Sequence, residues 1–356
     1  MKSRVYYVKV DHADSSGVIQ EKLRRLLDAS GILGRVRPRD QVVMKLHFGE
    51  EGNTGFIKPE WGRVVANKIK EAQAVPLMAE TNTLYRGQRT NSKDHLALAA
   101  RHGFIPENSG AGISIPEDSP ENVVDIPVQQ EYIKTAKVIK LFLDADVLVG
   151  LAHFKGHMMT GFGGALKNIG MGCASREGKL AQHCGVAPFV DERRCVGCGE
   201  CVEICPADAI SLEHKKAFID GERCIGCASC IAACPHEAID VKWGAGADII
   251  QEKMVEYAKA LLDARKGNTV FINFAVKITK ECDCLAKDDP RICPDLGLFA
   301  SLDPVSIDKA CYDKVREACG RDVLREAHPH CNGMKQLLYA EKLRLGQMEY
   351  QLIAVE

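Results

Sequence analysis

Several familiar features are missing from this sequence. No stretch approaches the roughly 20 consecutive apolar residues that a membrane-spanning helix needs. No charge of one sign dominates: 47 lysines and arginines stand against 48 aspartates and glutamates, a formal net charge of −1. That balance offers no overall attraction for nucleic acid or acidic lipid. The opening "MKSRVYYVKV" carries charges and β-forming residues but lacks the apolar centre of a signal peptide. The expectation is a cytoplasmic protein with neither nucleic acid nor membrane as partner. Two motifs are also absent. After Gly161 and Gly163 the third position of a dinucleotide fingerprint is Leu166, not glycine or alanine. The cysteines do not follow the C-x3-C-x2-C order of radical enzymes that use S-adenosylmethionine.

What is present is a chain of 356 residues, 46% hydrophobic, with 16 cysteines. At about 150 residues per domain, that length suits two domains or one large domain with an insert. In a secreted chain so many cysteines would suggest disulfides. In a reducing compartment they more often bind metal or do chemistry.

The pattern before Cys195 alternates short β-type runs with helical stretches. Strands are expected at Arg4–Val10, Gln41–Phe48, Val75–Thr81 and Asp146–Phe154, the last of a fully buried type. Helices are expected near Val18–Ala29, from Pro59 to about Gln73, and near Lys93–His102, with Pro59 suited to a first helical turn. Gly110–Pro127, with three prolines, reads as a loop with one edge strand. After Trp243 the alternation resumes: helix Lys253–Ala264, strand Asn268–Thr279, helices Pro304–Cys319 and Met334–Leu345, and a final strand within Met348–Glu356. Such alternation predicts an α/β fold, a mainly parallel sheet flanked by helices on both faces. The expected organisation is an α/β domain formed by residues 1–187 and 244–356, with a small α+β ferredoxin-like domain at 188–243 inserted into it.

The insert holds an internal repeat. "CVGCGECVEICPADAI" begins at Cys195 and "CIGCASCIAACPHEAI" at Cys224, 29 residues later. Both copies have the spacing C-x2-C-x2-C-x3-C-P, the bacterial ferredoxin pattern for two 4Fe–4S clusters. In that pattern three cysteines wrap one cluster and the fourth crosses to the other. The expected sets are Cys195, Cys198, Cys201 and Cys234 for one cluster, and Cys224, Cys227, Cys230 and Cys205 for the second. Gly197, Gly199 and Gly226 would bring backbone N–H groups to the sulfurs, and Ile204, Ile210, Ile225, Ile231 and Ile239 would exclude water. Zinc accounts for a C-x2-C pair, but not for the third cysteine or the proline in both copies. A cluster pair passes one electron at a time and so acts as a wire.

What the wire feeds must lie elsewhere. Ligands of open α/β sheets sit beyond the carboxyl ends of the strands. "AHFKGHMMTGFGGALKNIGMGCAS" (152–175) follows the buried strand with two histidines, two lysines, six glycines and a cysteine. If it stays extended, His153, Lys155 and His157 point one way and could bind substrate or relay protons. The glycines and Lys167 suit a carboxylate or phosphate at a helix start. The plain alternative is a glycine-rich turn with surface histidines. Loops carrying His47 and Glu50, Glu80–Arg89, and Lys280–Cys284 are expected on the same rim. Cys282 and Cys284, with Cys173 from another loop, are candidates for an additional metal or for thiol chemistry; small buried hydrophobes are the alternative. Arg176, Lys179 and His183 would line the path between wire and rim. Cys184, Cys293, Cys311, Cys319 and Cys331 read as ordinary cysteines.

Several long motifs resemble one known family, the iron–sulfur centre proteins of the "domain of unknown function 362" group. They are "KLHFGEEGN" (Lys45–Asn53), "ETNTLYRGQR" (Glu80–Arg89), His153–Lys179, the cysteine repeat, "CDC" (Cys282–Cys284) and "DLGLFASLDPVSIDKA" (Asp295–Ala310). The resemblance implies an α/β body with an inserted two-cluster ferredoxin and a low-potential or anaerobic setting. The function expected is an iron–sulfur oxidoreductase. It would take electrons from a redox partner protein and pass them to a small anionic substrate, metal or cofactor. A ferredoxin-like carrier with the α/β body as docking platform is the alternative, and a scaffold for labile iron a third.

Overall fold

The computed structural model describes residues 2–85, 87–183, 187–224, 226–241 and 247–356. One eight-stranded sheet organises the α/β body. Its strands are β1 (Ser3–Lys9), β2 (Gln41–Lys45), β3 (Val75–Ala79), β4 (Gly112–Ser114), β5 (Val147–His153), β6 (Thr269–Ala275), β7 (Gly297–Ser301) and β8 (Tyr350–Ala354), in the spatial order β8-β1-β7-β6-β5-β2-β3-β4. Five neighbour pairs are parallel and two are antiparallel. Both antiparallel pairs involve β7, so every other strand runs the same way. The expected mainly parallel α/β fold is what forms.

The central strands show why. Every residue of β5 and β6 is buried. Successive side chains point to opposite faces of a strand. Val147, Val149 and Leu151 join one apolar cluster, and Leu148 joins the other. Val270, Ile272 and Phe274 likewise oppose Phe271 and Ala275. Helices Ser16–Ser30 and Pro59–Glu71 cover the first face. Helices Ala165–Gly170, Ala247–Ala264, Pro304–Cys319 and Met334–Lys342 cover the second. A strand with both faces covered can be continuously apolar.

Helix ends follow local chemistry. Asp303 caps Pro304–Cys319 by accepting N–H bonds from Val305 (2.8 Å) and Ser306 (2.9 Å). Ser15 caps the helix that starts at Ser16, and Gly31 closes it with a left-handed φ of 57°. The region expected as a loop supplies the edge strand β4, and its later part, Val123–Pro127, pairs with Thr135–Ile139 in a separate hairpin. Strand β7 was not foreseen. Among the described residues, no helix is long and apolar enough to cross a membrane.

The cysteine-rich segment has its own small apolar core. Phe189–Val190 pairs with Ile239–Asp240, so the segment's two ends lie side by side. Ile210–Glu213 pairs with Lys216–Ile219 between the two cysteine runs. Ile225 and Trp243 fall outside the described residues.

Candidate functional site

Strand β5 delivers the site. The chain leaves it at His153, passes Phe154 and stays extended through Lys155–His157, which pairs antiparallel with Gly161–Gly163. Gly156 N–H donates to the Thr279 carbonyl at 2.9 Å, tying this segment to the loop after β6. His153, Lys155 and His157 therefore face one cavity, of about 400 Å³. The loops after β2, β3 and β6 complete its wall with His47, Glu80, Arg89, Cys282 and Cys284. Lys167, Lys179 and His183 close it from the second helical face.

Asp283, between the two cysteines, is the hub of one wall. Its carboxylate meets His153 Nδ1 at 2.8 Å and Lys155 Nζ at 2.6 Å, all three buried. Burial alone would push the Asp283 carboxyl up, but the charges of His153 and Lys155 outweigh it and hold it below the usual carboxylate range. His153 Nε2 is 2.8 Å from the Val276 carbonyl. Both ring nitrogens thus face oxygen acceptors. His153 and Lys155 line the cavity as fixed posts, not as free ligands. On the far wall Lys45 pairs with Glu80 at 2.8 Å, and Arg89 pairs with Glu50 at 2.8 Å and meets His47 Nε2 at 2.7 Å. Sequence reasoning missed the Lys45–Glu80 and Asp283 pairings. Buried charges at ends of apolar strands were the available signal.

Cys282 is the crevice thiol with donors gathered around its sulfur. Its Sγ accepts the Cys284 N–H at 3.3 Å and lies 4.0 Å from Lys167 Nζ. A hydrogen bond from the Cys284 thiol, the Lys167 ammonium and a hydrogen bond from His157 hold the Cys282 thiol well below its ordinary range. The Cys284 thiol is pushed up in turn, because it shares its proton with that sulfur. Partial burial disfavours the charge of Lys167, yet Cys282 and Cys284 raise its pKa. Burial, followed by Lys167, lowers His157 to about 4, so the ring is neutral near pH 7. Burial also lowers Lys179 to about 8. Among the described residues, its Nζ meets neutral oxygens within hydrogen-bond distance: Thr81 Oγ1 (2.7 Å), Asn82 O (2.9 Å) and Ala174 O (2.8 Å).

Two expectations are corrected. The glycine-rich helix start is not open to an external anion. Asp308, from Pro304–Cys319, already accepts the N–H groups of Ala165 (2.7 Å) and Leu166 (3.0 Å), along with Asn273 Nδ2 (2.7 Å). Gly164 permits this approach, since a Cβ there would stand 2.2 Å from Asp308 Oδ1. The glycines serve packing at this point. Cys173 does not join Cys282 and Cys284. It is buried in the apolar core, and its thiol points back to the Asn168 carbonyl at 3.9 Å. The three ligand atoms that do gather within 4.8 Å of one another come from His157, Cys282 and Cys284.

The Asp308 contacts make a stability prediction. Asp308→Ala strands two backbone donors and one amide donor in the core. It is expected to cost roughly 2–4 kcal/mol, read as a lower thermal midpoint. An unchanged midpoint would mean that these donors find other acceptors.

The repeat cysteines form two groups. Cys195, Cys198, Cys201 and Cys234 line one cavity; Cys205, Cys224, Cys227 and Cys230 line another. Cys205 and Cys234, the last of each run, have crossed over. N–H groups of Ala217, Ala209 and Ala238 point at Cys195, Cys205 and Cys234 sulfurs, each at 3.3 Å. Gly197 and Gly226, equivalent in the two copies, take φ of 70° and 73°, which favours glycine. Ile210 and Ile239 line the cavities and Ile231 is buried, but Ile204 is half exposed and shields nothing. The second run approaches the helix Arg176–His183. A methyl on Gly226 would stand 3.4 Å from Leu180, between crevice residues Lys179 and His183 in sequence. Leu84, another crevice residue, belongs to the same apolar cluster as Leu180 and Cys230. Of the remaining cysteines, Cys311 and Cys331 are buried, Cys293 and Cys319 lie 3.2 Å apart, and Cys184 falls outside the described residues.

Fold and cavity define an α/β protein with an open crevice that holds several charged side chains, beside a cysteine-rich segment. The chain belongs to the family described as domain of unknown function DUF362, whose model matches residues 42–313. A stretch of 33 residues, 9% of the chain, is 46% identical to ferredoxin-2 of Desulfomicrobium norvegicum and covers 56% of that protein. The match thus spans about half the length of this curated relative. Two solved structures are similar at low identity. The lactate racemase apoprotein of Thermoanaerobacterium thermosaccharolyticum has a TM-score of 0.36 and 14% identity, over 69% of this chain and 45% of that one. A Thermotoga maritima protein has a TM-score of 0.40 and 12% identity, over 88% and 60%.

Proposed function

We propose that this is an iron–sulfur oxidoreductase. Two 4Fe–4S clusters would be held by Cys195, Cys198, Cys201 and Cys234, and by Cys205, Cys224, Cys227 and Cys230. The residues fit the groups: each cavity offers four thiols and no competing carboxylate or imidazole ligand set, apart from His236 at the rim of the first. When bound, the clusters supply single low-potential electrons. The observation that carries the reading is the approach of Gly226, in the second cysteine run, to Leu180 of the helix Arg176–His183, from which Lys179 and His183 line the crevice. A docking platform has no use for a deep crevice lined by a lowered-pKa thiol and lysines.

In the crevice this chain's own residues do three things. Lys167 and Lys179 favour a small anion. The ion pairs around Asp283 and Glu80 fix the walls, so that charge is met without reorganisation. His157, neutral and facing Cys282, holds a proton beside the sulfur. A redox partner protein would load the clusters.

Iron content tests the first part. Anaerobically purified protein is expected to hold about eight iron and eight acid-labile sulfide per chain. Zinc in place of iron, without broad visible absorbance, would refute it.

A further inference from the structure

The three ligand atoms of His157, Cys282 and Cys284 suggest a metal, but the histidine argues otherwise. His157 Nδ1 accepts two backbone N–H groups, from Met159 at 3.1 Å and Thr160 at 3.2 Å. A nitrogen that accepts such bonds carries no proton, so the neutral ring is protonated at Nε2. Nε2 is then a donor to the Cys282 sulfur and has no lone pair for a cation. Around Cys282 the other near groups are also donors: the Cys284 N–H at 3.3 Å and Lys167 Nζ at 4.0 Å. The surroundings of this sulfur suit a thiolate that reacts.

We propose that Cys282 and Cys284 form a thiol–disulfide couple at the end of the electron path, and that it reduces a small disulfide bearing carboxylates. This rests on the proposed function for its electrons, not for its thiol chemistry. Cys282 thiolate attacks one sulfur of the substrate. The Cys282–substrate S–S bond forms, the substrate's own S–S bond breaks, and one thiolate leaves. Cys284 then attacks the Cys282 sulfur. The Cys282–Cys284 bond forms, the second substrate thiol leaves, and the Cys284 proton departs with it. Two electrons and one proton restore the Cys282 thiolate and the Cys284 thiol. Two reduced 4Fe–4S clusters would give those electrons singly, one each, which matches a two-electron couple to a two-cluster wire. The spacing assigns the roles: Cys282 has the donors, and Cys284, two residues on, is within reach as the resolving thiol. The carboxylates would meet Lys167 and Lys179, which line the same cavity.

The test uses the full-length anaerobic protein and dithiodiglycolate, a small disulfide with two carboxylates. Trypsin releases Glu281–Lys287, which contains these two cysteines and no others. After treatment, acid quench and alkylation, the peptide is expected to be two hydrogens lighter than the dithiol and closed to alkylation. Cys284→Ser should instead trap a thioglycolate adduct on Cys282, and Cys282→Ser should trap little or none on Cys284. Reduced methyl viologen should then reopen the wild-type disulfide at least tenfold faster than that of Cys205→Ala. An adduct on Cys284 would overturn the assignment of roles. A peptide that stays a dithiol, or a stoichiometric metal removed only with loss of His157, Cys282 or Cys284, would overturn the couple itself. Equal reopening in Cys205→Ala would overturn its link to the clusters. Absence of iron would sink the electron path alone, since disulfide formation is read on the peptide without it.

Discussion

A Cys205→Ala variant is expected to keep only about four of the roughly eight iron atoms proposed for the chain, and to lose the proposed cluster of the second repeat although Cys205 belongs to the first. The ground is spatial. Cys205 lines the cavity of Cys224, Cys227 and Cys230, and its sulfur accepts the Ala209 N–H at 3.3 Å. Paired variants make the assignment decisive. Cys198 lies in the other cavity, so Cys198→Ala combined with Cys205→Ala should strip nearly all the iron. Cys227 shares a cavity with Cys205, so Cys227→Ala combined with Cys205→Ala should still hold about four atoms, like either single variant. The reverse pattern, four atoms with Cys198→Ala and none with Cys227→Ala, would show that each repeat holds its own cluster. Because Gly226 of the second run approaches Leu180, the proposed electron delivery should fall further in the Cys205 variant than in the Cys198 variant.

Asp283→Asn is expected to cost about 3–5 kcal/mol of stability, the typical result of removing one member of a buried charged group. The substitution keeps the volume and removes the charge that His153 (2.8 Å) and Lys155 (2.6 Å) both face. Lys155 then stays buried without a countercharge. The change should appear as a lower thermal midpoint in far-ultraviolet circular dichroism of anaerobic samples with matched iron content. Lys155→Met in the Asp283→Asn background should recover part of the loss, because the stranded ammonium is then gone. A neutral effect of Asp283→Asn would mean that water, not the carboxylate, satisfies these cations. The crevice should change too: the peptide Cys282–Asp283–Cys284 is anchored by that carboxylate, and loosening it moves both thiols.

The two kinds of site were legible to different degrees. In the repeat, ligand identity depends on spacing within a short run. Four cysteines in eleven residues, followed by proline, restrict their arrangement whatever surrounds them, and the crossing of Cys205 and Cys234 is written in that spacing. The alternation of strands and helices was equally local, since a strand buried on both faces is largely apolar along its length. Strand β7 escaped notice because "GLFAS" is only five residues long and shows no alternation of apolar and polar residues.

The crevice was decided by tertiary structure. Alternation placed His153, Lys155 and His157 on one side, but their partners lie more than a hundred positions away. Asp283 converts two of the three into wall posts, and Cys282 draws the third into a thiol pair. Asp308, far along the chain, occupies the helix start that the glycine run seemed to hold open for a ligand. Cys173, similar in sequence to the other candidates, is turned into the core by the helix before it. In each case charge and burial set the outcome. A buried charge must find a partner, and which partner it finds depends on how the sheet brings distant loops together, not on its neighbours in sequence.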